Sequence, residues 1–409
     1  MKVIVLGLGM SGRAAASFLH HRGEEVVGVD RNEPSIEGIR VMSDVTPPQL
    51  QDVGLFVKSP GIAYAHPWVQ AASMCGIPIV GEIDLALAEL AQRQKRVLAV
   101  TGSNGKTTTT LLAAHLLQTH GTRALAAGNV GIPLLSQIDG DYEAFVVELS
   151  SFQLEGIAPL PVFDGAVILN ITPNHLDRHA SFEDYMQAKL RIAHCLKMQA
   201  PLYVTEQVMQ MCGSQIVTPV IKKVETILPL GYRDNHYHLF PHDLENASAA
   251  FALTRVPISV LQKGIETFVR PPHRLEFVQE IGGVRYINDS KATSVDAVIK
   301  AVQALNSPIL LIAGGVDKGG VFSDWLPIFR GKVKSLLALG EAAKRIEWEL
   351  GREMKVQKVS SLKEGVRIAA SQASAGDTVL LSPGCSSYDQ FRDYQHRGET
   401  FTHLVREML

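Results

Sequence analysis

The segment 101–108, TGSNGKTT, combines residue types that hold a nucleotide phosphate. It follows an apolar run at 97–100 and precedes a stretch whose apolar residues recur at helical spacing. Glycines let backbone N–H groups converge on an anion, and the N-terminus of the next helix adds a partial positive charge. Lys106 is then expected to reach the terminal phosphates of ATP, and the Thr107 hydroxyl to hold Mg2+. The general pattern GxxxxGK[ST] is not fully met because its first glycine falls at Val100, so a glycine-rich turn without a ligand stays an alternative.

Acidic and histidine side chains follow two further apolar runs. Glu148 follows the run at 145–147, and His175 and Asp177 follow the run at 166–171 within NITPNHLDRH. Ligands of open α/β sheets bind beyond the carboxyl ends of the strands, so we expect these side chains near the phosphate loop. There they could organise Mg2+. A solvated strand-end carboxylate and a structural histidine are the alternatives.

Lys189 has an unusual place in a predicted helix. The stretch 181–196 begins with the capping signal Ser181-x-x-Asp184 and continues with apolar residues at helical spacing. Lys189 lies on the apolar stripe, so it is predicted to point inward. The alternative is a lysine at the edge of the stripe whose amine reaches water.

The N-terminal segment mimics a dinucleotide-binding fingerprint. GLGMSG at 7–12 follows an apolar run, and Asp30 closes the next run at 26–29. This match predicts that a nucleotide-sized anion approaches the backbone, without indicating NAD. The segment SPGI at 59–62 also follows an apolar run and could face the same pocket.

Three polar loops follow apolar runs in the last third of the chain. They are NDSKAT at 288–293, GGVDKGG at 314–320 and SPGCSSYDQF at 382–391. Each alone is typical of an ordinary turn, but together they predict one composite binding site.

The elements that must position these residues form an α/β pattern. Short β-rich runs alternate with longer amphipathic stretches, and several runs are continuously apolar, as parallel strands covered by helices require. We therefore predict an α/β fold of three domains. The polar segment 91–96 and the prolines within 270–273 mark the boundaries, giving domains 1–92, 93–270 and 271–409.

Composition narrows the class of protein. The 409 residues are 46% hydrophobic and 20% charged, as in soluble globular proteins. The net charge of -2 produces no strong positive field that would attract nucleic acid or a membrane surface. Four cysteines without a CxxC pair argue against zinc and a disulfide framework. We find neither a signal peptide nor an apolar run of about 18 residues, and we expect a cytoplasmic monomer without nucleic-acid or membrane partners.

These motifs together resemble the Mur ligases of peptidoglycan synthesis over essentially the whole chain. TGSNGKTT is similar to the family's ATP loop, and NITPNHLDRH and YMQAKLRI to its middle-domain signatures. NDSKAT, GGVDKGG and LSPGCSSYDQF are similar to its C-terminal signatures, while GLGMSG, SPGI, ELSSFQLE and SPxxxSxDxF resemble the D-glutamate-adding branch. Three positions depart from the family pattern, and none is needed for the chemistry: Asn174, Asp243 and Tyr394.

The resemblance implies a fold and a set of substrates. A Rossmann-like N-terminal domain would hold the UDP of UDP-N-acetylmuramoyl-L-alanine, a P-loop ATPase-like central domain would hold ATP, and a Rossmann-like C-terminal domain would receive D-glutamate. Two Mg2+ ions are implied, one of them held by a carbamylated Lys189.

The resemblance also implies roles for individual residues. The catalytic residues would be Lys106, Lys189 and His175. The metal ligands would be Thr107, Glu148, His175 and Lys189. ATP would contact Gly102, Ser103, Asn104, Gly105, Lys106, Thr107, Thr108, Asn246, His273, Arg274 and Asp289. The UDP substrate would contact Met10, Ser11, Asp30, Arg31, Ser59 and Asn129. D-glutamate would contact Thr293, Lys318, Ser387 and Tyr394.

The implied reaction transfers the γ-phosphoryl group of ATP to a carboxylate, and the amine of D-glutamate then displaces phosphate from the acyl phosphate. Charge stabilisation is most of what phosphoryl transfer needs. Three alternatives stay open: another Mur-type or folylpolyglutamate synthase-like ligase, an NAD-dependent dehydrogenase suggested by GLGMSG, and a nucleotide-binding switch without a covalent product.

Overall fold

The computed structural model describes residues 1–174, 178–218, 220–226, 241–305 and 308–408, without the side chains of Pro241 and His242. The chain forms two compact units. The first comprises Met1–Ile171, Glu183–His238 and Asp243–Phe268, and the second comprises Thr172–Phe182, Leu239–His242 and Val269–Leu409. No helix of the described residues is long and apolar enough to cross a bilayer.

The first sheet is parallel, with strand order β3-β2-β1-β4-β5. Its central strands are continuously apolar, and they are buried because α-helices cover the sheet. The elements are β1 (Lys2–Leu6), α1 (Met10–His21), β2 (Glu25–Val29), β3 (Arg40–Met42), β4 (Val53–Lys58), α2 (Pro67–Met74), β5 (Ile79–Val80) and α3 (Glu82–Gln92).

The second sheet belongs to the same compact unit and is also parallel, with strand order β11-β10-β9-β6-β8-β7. Its strands are β6 (Arg96–Thr101), β7 (Ala124–Gly128), β8 (Ala144–Glu148), β9 (Gly165–Ile168), β10 (Leu202–Val204) and β11 (Ile221–Lys223). Its α-helices are α4 (Lys106–Thr119), α5 (Ser151–Leu154), α6 (Phe182–Leu190), α7 (Glu206–Cys212), α8 (Pro241–Thr254) and α9 (Ile258–Thr267). Short 3-10 helices lie at Leu134–Gln137, Arg191–Cys195 and Gly213–Gln215.

The third sheet forms the second unit, with strand order β12-β13-β17-β14-β15-β16. Only β12 among these strands is antiparallel to its neighbour. The strands are β12 (Glu276–Ile281), β13 (Val284–Asn288), β14 (Ile309–Gly314), β15 (Val333–Leu339), β16 (Val356–Val359) and β17 (Thr378–Leu381). The helices are α10 (Val295–Ala304), α11 (Leu326–Phe329), α12 (Ala343–Leu350), α13 (Leu362–Gln372) and α14 (Tyr394–Arg406), with a 3-10 helix at Phe322–Trp325.

The predicted α/β class is confirmed, and two predicted elements differ in length. The strand expected over 166–171 ends at Ile168, because the chain turns there to bring Asn170 to the glycine loop. The helix expected over 181–196 ends at Leu190 and continues as a 3-10 helix. There the Cys195 carbonyl accepts the N–H groups of Val162 and Phe163 instead of continuing a helical pattern.

Candidate active site

The glycine loop connects β6 to α4 as the sequence predicts. Gly102 has φ 154° and Gly105 has φ 83°, conformations that side chains rarely adopt. A Cβ atom at Gly105 would lie 2.2 Å from the Oδ1 atom of Asn246, so a side chain there would displace that amide. Helix α4 begins at Lys106, directly after the loop, and its first N–H groups can therefore face an anion.

Asn170 fixes the shape of this loop. Its Oδ1 accepts the N–H of Asn104 at 2.8 Å, and its Nδ2 donates to the Asn104 carbonyl at 3.1 Å. Its own carbonyl accepts the N–H of Ser103 at 2.8 Å. Sequence reasoning missed Asn170, although its position just after a strand beside the loop strand is a usable signal.

Lys106 is held against the loop that precedes it. Its Nζ donates to the carbonyls of Gly102 and Ser103, each at 2.9 Å. Lys106, Thr107 and Thr108 are partly exposed, so a ligand bound at the loop can reach them. The amine is thus in place to meet a terminal phosphate.

Lys189 is buried beside the same loop. Its side chain is 1% exposed, and its Nζ donates to the Gly102 carbonyl at 2.8 Å. Burial lowers the pKa of this amine well below its usual value, the nearby charge of Lys106 lowers it further, and Glu148 opposes the shift. The predicted inward direction is confirmed, and the alternative of an amine that reaches water is wrong.

Tyr185 connects the helix of Lys189 to the glycine loop. Its hydroxyl lies 2.8 Å from Ser103 Oγ, and the Lys189 Nζ lies 4.6 Å from the centre of its ring. Burial raises the pKa of the phenol, so the hydroxyl stays protonated. Sequence reasoning missed this role, because Tyr185 on the apolar stripe was indistinguishable from a core residue.

Glu148 is the last residue of β8 and lies beside β6. Its side chain is 1% exposed, so the alternative of a solvated strand-end carboxylate is wrong. Oε1 accepts a 2.8 Å hydrogen bond from Asn129 Nδ2, while Oε2 is buried without a hydrogen-bond partner in the described part of the chain. A buried carboxylate oxygen of this kind fits a cation ligand.

Two further predicted ligands, His175 and Asp177, lie outside the described residues. Among the residues that are described, no group of three or more histidine, cysteine, aspartate or glutamate side chains could hold a metal ion.

Asn246 lies on α8 and is 7% exposed. Its Oδ1 accepts a 3.2 Å hydrogen bond from the Thr109 hydroxyl, in the first turns of α4. The structure therefore brings Asn246 to the loop, as the predicted ATP site requires.

The GLGMSG turn has a close-packed backbone. A Cβ atom at Gly12 would lie 1.8 Å from the Gly7 carbonyl oxygen, and the Ser59 hydroxyl donates to that same oxygen at 2.6 Å. The Asp30 carboxylate accepts the N–H groups of Leu8 at 2.6 Å and Asn32 at 2.9 Å. Met10, Arg31 and Asn129 are exposed and Ser11 is partly exposed, so these predicted ligand residues are accessible.

In the second unit the three polar loops follow the adjacent strands β13, β17 and β14. Backbone hydrogen bonds tie them together: Gly314 N–H to Pro383 O at 2.7 Å, Val316 N–H to Ser386 O at 2.9 Å, and Gly384 N–H to Ala292 O at 2.8 Å. Thr293, Lys318 and Tyr394 are partly exposed here, whereas Ser387 is 3% exposed.

Arg397 on α14 is buried beneath two of these loops and donates hydrogen bonds to both. It is 1% exposed, and it donates to the Ser290 hydroxyl at 3.0 Å, the Ser290 carbonyl at 2.9 Å and the Cys385 carbonyl at 3.2 Å. Burial lowers the pKa of the guanidinium to about 10. No motif marked this arginine, because only the fold places its helix under the loops.

Asp289 and His273 lie at the base of this loop cluster. Asp289 accepts the Ser382 hydroxyl at 2.9 Å and the Leu275 N–H at 3.2 Å, and burial raises its pKa to about 7. His273 Nδ1 lies 2.9 Å from Asn288 Nδ2, and burial lowers the pKa of its imidazole. Arg274 is partly exposed.

The parallel sheets and the glycine loop ahead of a helix define an α/β protein with a P-loop-type central region. Models of three domains match the chain: "Mur ligase MurD-like, N-terminal domain" at 1–81, "Mur ligase middle domain" at 100–253 and "Mur ligase, glutamate ligase domain" at 273–385. The chain belongs to the Mur ligase family.

Individual relatives agree with this membership. The UDP-N-acetylmuramoylalanine--D-glutamate ligase of Protochlamydia amoebophila is 40% identical, over 99% of this chain and 98% of that protein. The protein of the same name from Chlamydia felis is 40% identical, over 100% and 98%. The fold is similar to that of MurF ligase from Thermotoga maritima in complex with ADP, with a TM-score of 0.63, 17% identity and coverage of 100% and 95%.

Proposed function

We propose that this chain is an ATP-dependent ligase that joins D-glutamate to UDP-N-acetylmuramoyl-L-alanine in peptidoglycan precursor synthesis. The 40% identity to D-glutamate ligases over essentially both full lengths supports the choice of substrates. The observation that carries the chemistry is the grouping of Lys106, Lys189 and Glu148 around the glycine loop. A dehydrogenase would leave this grouping without a purpose.

The residues present fit Mg2+ as well as ATP. The proposed ligands are Thr107, Glu148, His175 and carbamylated Lys189, and the unpartnered Glu148 Oε2 supports the set. When bound, Mg2+ would neutralise phosphate charge that develops during transfer. Glu148 is kept in place for this role by the hydrogen bond from Asn129.

The surroundings of Lys189 support its proposed carbamylation. A neutral amine attacks CO2, forming a C–N bond and releasing one proton, and the product is an anionic carbamate. Because burial and Lys106 lower the pKa of Lys189, more of this amine is in the neutral form that reacts. The carbamate would replace a buried cation with an oxygen ligand for Mg2+.

Lys106 and the loop act on the phosphates of ATP. The amine would leave the carbonyls of Gly102 and Ser103 and pair with a terminal phosphate oxygen, while loop N–H groups hold the others. A carboxylate oxygen of the substrate attacks the γ-phosphorus and ADP leaves. The D-glutamate amine then attacks the acyl carbon, and phosphate leaves with the oxygen that the carboxylate supplied.

The remaining residues are proposed to bind the substrates. The ATP set is Gly102, Ser103, Asn104, Gly105, Lys106, Thr107, Thr108, Asn246, His273, Arg274 and Asp289. For the UDP substrate we propose Met10, Ser11, Asp30, Arg31, Ser59 and Asn129. For D-glutamate we propose Thr293, Lys318, Ser387 and Tyr394. The cationic Lys318 suits the side-chain carboxylate, and hydroxyl groups suit its orientation.

The division into domains 1–92, 93–270 and 271–409, a cytoplasmic location and a monomeric state remain part of this proposal. Substrates and ATP of this kind would place the enzyme in the cytoplasm. Sedimentation of the full chain tests the monomer, and a mass of twice 44.5 kDa would contradict it.

The acceptor decides between this proposal and a sibling or folylpolyglutamate synthase-like ligase. Phosphate release is measured with ATP, Mg2+ and UDP-N-acetylmuramoyl-L-alanine, with D-glutamate, L-lysine, meso-diaminopimelate or D-alanyl-D-alanine as acceptor. Release with D-glutamate alone supports the proposal. Release with another acceptor favours a sibling, and release without any acceptor favours a nucleotide switch.

A further inference from the structure

Glu82 joins the first sheet to a loop of the second sheet. It is the first residue of α3 and follows β5 at the edge of the first sheet. Its Oε1 accepts the backbone N–H of Leu135 at 2.7 Å, and the N–H of Leu134 also lowers the pKa of the carboxylate. Both N–H groups belong to the first turn of the 3-10 helix Leu134–Gln137. The N–H groups of a first turn have no hydrogen-bond partner inside the helix.

Burying the Glu82 carboxylate costs free energy, which indicates that this side chain has a role. Glu82 is 2% exposed, and no cation among the described residues lowers its pKa. Burial raises its pKa to about 7, against the opposing effect of the hydrogen bonds from Leu135 and Leu134. A neutral glutamine could accept the same hydrogen bonds without the cost of burying a charge.

The short loop 129–133 leads from Asn129 to the 3-10 helix Leu134–Gln137, whose first turn Glu82 caps. There the Asn129 N–H donates to the Glu148 carbonyl at 2.9 Å, and its Nδ2 donates to Glu148 Oε1 at 2.8 Å. Inside the loop the Ile132 N–H donates to the Val130 carbonyl at 2.7 Å. Because the loop is short and hydrogen-bonded at both ends, we expect a shift at Leu135 to move Asn129.

We propose that Glu82 is a positioning residue that holds the loop 129–133 so that Asn129 meets the uridine-nucleotide substrate. Asn129 is exposed and also bonds to Glu148, so the loop connects substrate binding with the ATP site. This inference rests on the proposed function, because that function assigns Asn129 to the UDP substrate.

Few charged groups surround Glu82. Asp84 on the same helix opposes its ionisation. Lys58 and Tyr64 line the same small cavity, whose α5 side contributes the uncharged Phe152 and Gln153. The 3-10 helix Leu134–Gln137 carries no charged side chain. A pH effect near neutrality that depends on residue 82 is therefore assignable to its own carboxyl group.

The kinetic test uses the full chain with saturating ATP and D-glutamate. Glu82→Ala should raise the KM for the UDP substrate about fivefold to tenfold, as one lost capping interaction does, while the KM for D-glutamate stays within about twofold. Glu82→Gln should return the KM to the value of the protonated wild type, below that of Glu82→Ala, because the neutral amide oxygen still accepts the N–H groups. The matched control is Glu89→Ala on the same helix, since Glu89 is buried but bonds to Arg22.

The pH dependence of the KM for the UDP substrate distinguishes a positioning role of Glu82 from a purely stabilising role. Above pH 7 the ionised carboxylate is the stronger acceptor, so the wild-type KM for the UDP substrate should rise as pH falls through about 7. The Glu82→Gln profile should be flat. An unchanged KM in folded Glu82→Ala, equal shifts in both KM values, or the same pH inflection in Glu82→Gln would overturn the proposal.

Hydrogen exchange provides a readout that does not require ligase activity. The Leu134 and Leu135 amides should exchange faster in Glu82→Ala than in Glu82→Gln, with no such change in Glu89→Ala. Faster exchange without D-glutamate-dependent turnover in the wild type would count against the proposed function and not against the cap. Turnover in the wild type with unchanged exchange would contradict the role of Glu82.

Discussion

The Nζ atom of Lys189 donates a 2.8 Å hydrogen bond to the carbonyl oxygen of Gly102, inside the glycine loop. Lys106 donates to the same carbonyl at 2.9 Å, so two amines converge on one loop oxygen. Lys189 is buried whereas Lys106 is partly exposed, and burial together with the nearby charge of Lys106 lowers the pKa of Lys189. This asymmetry gives the two lysines different chemistry at one loop.

Lys189→Ala is expected to abolish turnover, because the variant cannot form the carbamate that we propose as a Mg2+ ligand. Short-chain carboxylic acids should restore part of the activity by supplying an oxygen ligand in the space left by the side chain. Phosphate release is the measurement, with Lys197→Ala as control because Lys197 pairs with Asp164 at 2.8 Å, away from the loop. Full activity of untreated Lys189→Ala would rule out the assignment.

Lys106→Ala should lower kcat by about 100-fold or more, the effect of removing one charge-stabilising donor from a transition state. The fold should persist, because the two hydrogen bonds of Lys106 to Gly102 and Ser103 are local to the loop. Lys95→Ala provides the control, since Lys95 bonds to the Tyr142 carbonyl at 2.8 Å. Similar kcat values for the two variants would contradict the role of Lys106.

Asn170→Ala should loosen the glycine loop, because three hydrogen bonds connect Asn170 to Ser103 and Asn104. Its side chain accepts one of them and donates another, and the substitution removes both. We expect the KM for ATP to rise about tenfold, a loss of about 1.4 kcal/mol in binding. Gln207→Ala removes a comparable amide hydrogen bond, to the Ile171 carbonyl, and should leave this KM unchanged. An ATP affinity of Asn170→Ala equal to wild type would refute the prediction.

Asp289→Asn should change the pH dependence of stability. The folded pKa of Asp289, about 7, lies above the usual 3.8, so between these values the folded chain holds a proton that the unfolded chain has lost. Wild-type stability therefore falls as pH rises through this window, whereas asparagine does not titrate. The Tm of Asp289→Asn relative to wild type should rise between pH 5 and pH 8, by about 4 °C or more.

The control for this measurement is Asp324→Asn, an exposed aspartate in the same unit. Its Tm difference from wild type should be nearly the same at both pH values. A Tm difference for Asp289→Asn that stays constant between pH 5 and pH 8 would mean that Asp289 is ionised throughout this range.

Local sequence patterns were sufficient for the parts of the site that lie in one element. The helical stripe predicts that Lys189 points inward, and the order of strand, glycine loop and helix predicts the backbone of the phosphate loop. These features depend on neighbours within a few residues. The three polar loops of the second unit could also be grouped, because parallel strands end at one edge of a sheet.

The remaining contacts depend on tertiary structure. Asn170 and Tyr185 contact loop residues that lie 66 and 82 positions earlier in the chain. The position of Asn170 after a strand indicates a site residue but not its partner, and Tyr185 has the pattern of a core residue. Arg397 and Glu82 are buried charged residues, and a sequence shows their charge without showing their burial. Such positions become predictable only when the elements that carry them have been packed.

The proposed acyl-phosphate intermediate is tested most directly by following one oxygen atom of the substrate carboxylate. UDP-N-acetylmuramoyl-L-alanine labelled with 18O in its carboxylate is incubated with the chain, ATP, Mg2+ and D-glutamate, and the released phosphate is analysed by mass spectrometry. We expect one 18O atom in each phosphate and a product larger by one glutamyl residue. Unlabelled phosphate, or labelled phosphate formed without D-glutamate in the product, would contradict it.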